Sequence, residues 1–390
     1  MAGSKLHRVN ERKLSAWVEA GLIDTAAAAR IKHWEAEHSR PLALWAVIGI
    51  GALAIGLGLI SVVAANWDAI PAMLRLSLHS LLLIGAAALL WLRGDQLAER
   101  QPWGHEGLLF VFGLLGLTFM GHVGQAYQTT SPFWQPLLLW LTLFGPIMLL
   151  RGQSWLIAAL LMVIAVLAGW NYAGGEGGLF SRGDGPSAVS AAWATGLPVL
   201  AAALGAQLRQ RGARSAFWRR LEQLGIAYAT AGASLIAVLA GFDEFGSRQD
   251  FYLPLITLVV YAALAALAAA AVHTTQRDAS GRAAAGVLML GAGIALVAHP
   301  LSGLQVVGAV LFIALWAGIA AASLHGGWRG LFQAAVALVA LRLIILSFEL
   351  ETDLLTSGAG LIVAGVLILG IAWLAVRVAK RFAPPKEAAG

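Results

Sequence analysis

The chain has 390 residues, 59% of them apolar and only 12% charged, where a soluble domain carries about 25% charged residues. It has no cysteine, which excludes a disulfide framework, a thiolate metal site and a thiol nucleophile. The net charge of +6 does not point to nucleic acid, because the basic residues sit in short segments between apolar runs, where they orient a membrane protein.

Residues 1–41 are polar and basic. Asn10 can cap a helix from Glu11 to about Ala20, with Gly21 as its stop, and Asp24 or Thr25 can cap a second helix to about His38. Leu14, Trp17 and Val18 stripe the first helix, and Ile31 and Trp34 the second. The spacing predicts a small helical hairpin, too short for an independent core and suited to meeting a protein partner. It has no short apolar core followed by a cleavage site, so no removable signal peptide is expected.

About twelve apolar runs of spanning length follow. They are 42–65, 71–92, 107–129, 134–150, 154–172, 188–207, 224–242, 252–273, 282–299, 303–323, 328–348 and 354–376. Pro146 and Pro198 fall inside the fourth and sixth runs and should kink them. The first run ends in Asn66, Trp67 and Asp68, a polar turn with its tryptophan at headgroup depth. With a cytoplasmic N-terminus, every Lys and Arg except Arg75, Arg182, Arg248 and Arg342 falls in an inside segment. The positive-inside rule thus supports an even helix number and two cytoplasmic termini in a bacterial inner membrane. The densest cluster, Arg209 to Arg220, reads as an orientation anchor or as a site for anionic lipid.

An internal repeat is expected. The stretch Leu59 to Ala64 resembles Leu235 to Ala240 at an offset of about 176 residues, and His122 is answered by His299. A six-helix unit puts both copies in one orientation, a parallel repeat about the membrane normal. The expected plan is a cytoplasmic hairpin 1–41, a first half 42–207, a basic linker 208–223, a second half 224–380 and a tail 381–390. The fold class is all-α and polytopic, a 6+6 bundle behind a soluble hairpin.

Three stretches carry a family resemblance. They are Trp17 to Ile23, Ala64 to Pro71, and Gly121 to Gln128 followed by Leu139-Trp140. On these the chain resembles a bacterial membrane-protein family labelled as a domain of unknown function, number twenty-one fifty-seven. The resemblance covers roughly residues 10 to 155. It implies a polytopic inner-membrane protein and no particular reaction.

Phosphate-binding loops, His-Glu-x-x-His and Gly-x-Ser-x-Gly motifs are absent from the sequence. No metal site and no cofactor is expected. What remains is a distribution of polar residues toward the outer half of the membrane. Asp68 ends the first run. Arg75 and His79 share a face of the second. His122, Gln125 and Gln128 or Thr129 form one stripe late in the third. Asp243 and Glu244 end the seventh run and His299 the ninth, while Arg342 and Glu349 share a face of the eleventh. Each has a plain alternative: Arg342 and Arg75 as headgroup anchors or ion pairs, His122 as a packing residue, Asp68 as the cap of the second run. The inner half shows no comparable set.

The sequence therefore predicts a transporter or binder of a small anionic solute or lipid headgroup, using a cavity lined by His122, Gln125, Gln128, Arg342, Arg75, Asp68, His299 and Glu349. The alternatives are a membrane-embedded transferase or hydrolase acting on a lipid-linked substrate at the outer face, with Asp68 or Glu349 as base and His122 as proton carrier, and a non-catalytic assembly or sensor subunit. Membrane lipids are the expected partners.

Overall fold

The computed structural model describes residues 14, 17–38, 54, 70–128, 131–174, 188–212, 214–241, 255–301, 305–350 and 358–382. They fall into two compact units, 1–75 and 76–390. The first run, residue 54 apart, and Asp68, Asp243 and Glu244 lie outside the described residues.

In the first unit, the helix that carries Trp17 and Val18 ends where expected. Gly21 has φ +67°, Gly21 N donates to Val18 O at 3.0 Å and Leu22 N to Trp17 O at 2.9 Å. This crossed pair is a Schellman stop, which needs a left-handed residue at that position. Helix α1 (Thr25–His38) follows. Its cap is Asp24, whose carboxylate accepts from Ala27 N.

Twelve further helices carry the rest of the described chain. They are α2 (Ala72–Arg100), α3 (Pro102–Ala126), α4 (Trp134–Leu143), α5 (Gly145–Arg151), α6 (Trp155–Gly174) and α7 (Ala188–Arg209). Then come α8 (Ser215–Leu239), α9 (Leu255–Thr275), α10 (Ala279–Ala298), α11 (Gln305–Gly326), α12 (Arg329–Leu350) and α13 (Gly358–Phe382). Among the described residues, eight helices are long and apolar enough to cross a membrane, or nine if the bent pair α4–α5 is one span. The protein is an all-α polytopic membrane protein. The predicted second to twelfth runs each coincide with one helix or, for the fourth, with that bent pair. The expected repeat would lay the first run on α8, so half of that pairing lies outside the described residues.

The two prolines act differently. Pro146 opens α5 after a 43° bend, because its ring denies the preceding turn a donor and crowds its carbonyl. Pro198 sits inside a continuous α7. Helix α8 begins at Ser215, nine residues before the predicted seventh run and inside the segment read as a basic linker.

Packing is of two kinds. Around α2 to α6 and the start of α8, large side chains interlock: Leu109, Phe112, Trp140, Phe144, Met148, Ile157 and Phe217. The Trp140 ring N–H donates to Gly113 O at 2.7 Å, which satisfies the indole in an apolar interior. From α7 to α12 the core is mostly alanine, including Ala229, Ala233, Ala265, Ala284 and Ala295. Small side chains let these helices close on one another without a hydrophobic drive from water.

Alternate connections gather at one end of the second unit. The 94–106, 151–155, 209–222, 276–283 and 326–331 segments touch through Arg151 and Asp95, Glu106 and Ser154, Arg220 and Gln153, Gln276 and Glu222, and Gly326 and Ala283. This is the basic end. The opposite end carries an aromatic cluster, with Tyr172 5.2 Å from Trp134 and 4.9 Å from Trp193 between ring centroids, as suits a membrane interface.

Candidate functional site

The basic end is built from cations that meet helix termini. Arg214 has φ +75° and precedes α8. Its guanidinium donates to Leu149 O at 2.8 Å and to Gly152 O at 3.2 Å, carbonyls at the negative end of α5. Burial lowers its pKa from the ordinary arginine value, and the group stays charged. Arg220 donates to Gln153 O and stands 5.9 Å over the Trp155 ring. Glu106 supplies the opposite charge: its two oxygens accept from Gln153 N at 2.9 Å and Ser154 N at 2.8 Å, at the start of α6. A cavity of about 300 Å³ lies here between His105, Glu106, Ser154, Arg214 and Arg220. Its polar groups are largely occupied with one another.

A larger cavity, about 570 Å³, opens between α8, α10, α11 and the start of α12. Arg209, Arg219, Glu222, Gln223, Gln276 and Ser280 stand at its basic end. Its walls are Ile226, Ala227, Ala231, Ala284, Val287, Ile319 and Leu331, with Trp155, Trp316 and Trp328 around them. From Arg219 to Ala231 the cavity follows α8 for about 18 Å at 1.5 Å per residue. One end is polar and net cationic, and the rest is apolar except for Thr230.

Glu222 is the unusual group. Only 4% of it is exposed. Oε1 accepts from Gln276 Nε2 at 2.7 Å. Oε2 lies 3.5 Å from Arg209 Nη1, close enough for charge attraction, yet it accepts no hydrogen bond from any described residue. A buried carboxylate oxygen without a donor costs about 1–3 kcal/mol or more.

A second polar cluster joins α2 and α3. The His79 and His122 Nδ1 atoms are 2.8 Å apart, and His79 Nε2 is 2.9 Å from Leu115 O. A carbonyl only accepts, so His79 carries a proton on Nε2, and one of the two Nδ1 atoms donates to the other. Thr118 Oγ1 lies 3.4 Å from His79 Nε2 and the Phe119 ring meets His79 edge-on. His79 is 7% exposed, so the pair ties two lipid-facing helices by a bond that little water reaches.

The residues chosen from sequence are distributed as follows. His122 is half-buried in this pair, while Gln125 and Gln128 are exposed, Gln128 at φ 48°. Arg342 is half-buried on α12, which also carries Glu349. His299 ends α10 and is half-buried. Arg75 belongs to the first unit. Helix α3 packs on α4 and α6, whereas α12 packs on α11 and α13. The described walls of both cavities are made by other residues. Glu222 and Gln276, at the basic end, lie outside the predicted apolar runs, the seventh of which starts at 224. The three-residue spacing of Arg219 and Glu222, one face of a helix, was the signal available.

Residues 15–157 match the family described as "Predicted membrane protein (DUF2157)". The match takes in α2 to α5, with the His79–His122 pair and Glu106, and stops as α6 begins. No curated protein and no solved structure matches the chain significantly.

Proposed function

We propose that the protein binds an anionic amphiphile of the bilayer, its headgroup on Arg209 and Arg219 and its chain along the apolar walls of the 570 Å³ cavity. The observation that carries this is the division of that cavity into a cationic mouth and an apolar interior. Its volume is within the roughly 300–1,000 Å³ of ligand sites, and a small ion would leave the apolar walls unused. By the positive-inside rule we place the basic end on the cytoplasmic side of the inner membrane. There anionic lipid is attracted by about 1 kcal/mol per cation. A carrier of such an amphiphile would use the same cavity.

The test is native mass spectrometry of the detergent-solubilised protein with equimolar phosphatidylglycerol and phosphatidylcholine. Phosphatidylglycerol adducts should dominate, and Arg209→Ala with Arg219→Ala should lower them about tenfold. Equal adducts of both lipids on the wild-type protein would refute the reading.

A second reading rests on the His79–His122 bond at the other end of α2 and α3. An imidazole pair can relay a proton, as the alternative of chemistry on a lipid-linked substrate requires. In proteoliposomes supplied with a polyprenyl diphosphate, phosphate release should then fall about a hundredfold in His122→Ala and His79→Ala. If the wild-type protein releases no phosphate, this reading is wrong.

A further inference from the structure

From the unmet oxygen of Glu222 we infer that the amphiphile bears a hydroxyl beside its anionic group, and that this hydroxyl donates to Glu222 Oε2. The inference rests on the proposed amphiphile site and narrows its ligand to a polyol headgroup.

The carboxylate lines the cavity at its polar end, with its side chain 5% exposed. Oε1 is satisfied by Gln276, and Oε2 accepts from no described residue. Arg209, on the neighbouring helix α7, lies 3.5 Å from Oε2. Its side chain is 23% exposed, so it can swing toward an anion at the mouth. That movement would uncover Oε2 while the anion stays within reach of Arg209 and Arg219.

Three partners for Oε2 can be compared. A proton would make it a donor, but the groups beside it, Arg209 Nη1 and Gln276 Nε2, are donors already. A ligand ammonium would be a third cation next to Arg209 and Arg219. The other charge near the carboxylate is Asp278, ahead of α10, and one carboxylate does not offset that crowding. A neutral hydroxyl supplies the missing donor and leaves the charges as they are. Burying a hydroxyl here is favourable only because the acceptor is waiting, since a site built for a hydroxyl discriminates strongly against a ligand that lacks it.

The experiment titrates the full-length protein in detergent with phosphatidylglycerol and with phosphatidylpropanol of the same chains. The two carry the same single charge, and only the first has headgroup hydroxyls. Tryptophan fluorescence reports binding, because Trp155, Trp316 and Trp328 line the cavity. Phosphatidylglycerol should bind about tenfold tighter, the effect of one hydrogen bond to a charged acceptor. Glu222→Leu should bring the two lipids to parity while phosphatidylpropanol still binds. Equal affinity of the wild-type protein for the two lipids overturns the hydroxyl inference and leaves the amphiphile site standing. A preference that survives Glu222→Leu also overturns it, because the hydroxyl is then read elsewhere. Failure of both lipids to bind overturns the amphiphile reading itself. The wild-type comparison needs no variant, so a Glu222→Leu protein that does not fold leaves the test intact.

Discussion

Gly225→Ala is expected to lower the unfolding midpoint of the detergent-solubilised protein by several degrees, and Gly225→Leu to prevent a monodisperse preparation. A Cβ on Gly225 would lie 2.3 Å from Ala202 N and 2.9 Å from Ala202 Cα. Across the same contact, a Cβ on Gly205 would lie 2.6 Å from Glu222 N and from Trp218 O. These neighbours are backbone, so no rotamer change relieves the clash and α7 and α8 must move apart. Alanine by itself favours a helix by about 1 kcal/mol over glycine. Overpacking costs about 1–3 kcal/mol and sometimes more, and here the obstacle is rigid, so the clash should win. Separation would also draw Arg209 away from Glu222, so the affinity for phosphatidylglycerol should change with stability. Gly286→Ala on α10 is the control, since nothing lies within 4 Å of a Cβ there. Equal midpoints for Gly225→Ala and wild type would show that the two helices are not in this contact.

How much of this was legible in the sequence follows from what each feature depends on. Apolar length fixes a span locally, so the runs from 71 to 376 read correctly as helices. The Gly21 stop and the Asp24 cap are also local, and both were readable. Pro146 stands at a break between two helices, whereas Pro198 lies inside a continuous helix in an alanine-rich part of the bundle. Neither outcome is written in the proline. The site was harder. A polar residue drew attention when it interrupted an apolar run, as His122 and Arg342 do. Glu222 does not interrupt anything, because it stands among Arg219, Arg220 and Gln223 and reads as part of a solvated linker. Only the start of α8 at Ser215 carries it into the bundle. Gln276 reaches it from a turn 54 positions away, a distance over which sequence spacing says nothing. The sequence spacing pairs His79 with Arg75 on α2, while its bond is to His122 on the next helix.

Glu106→Ala should be as damaging as the glycine changes, by a different route. The start of α6 leaves backbone N–H groups without helical partners, and Ile157 in its first turn is fully buried. Glu106 answers two donors of the preceding turn, Gln153 N and Ser154 N. Ser154 Oγ then accepts from Ile157 N at 3.3 Å, completing the cap. The carboxylate side chain is 9% exposed, and His105 Nδ1 lies 3.7 Å from it. Hydrogen bonds to a charged group contribute about 1.5–3 kcal/mol each, and alanine would leave both donors unmet. A loss of about 3 kcal/mol is therefore expected. Glu106→Gln should fall between alanine and wild type, because the amide oxygen can accept one N–H while its NH₂ confronts the other. Arg214 and Arg220 hold the carbonyls of the same turn, so the turn should loosen rather than leave the bundle. Hydrogen exchange separates this from a general loss of packing. In Glu106→Ala the amides of residues 153 and 154 should exchange much faster, while those in the middle of α9 and α10 keep their protection. If the 153–154 amides exchange at the wild-type rate, Glu106 does not cap α6.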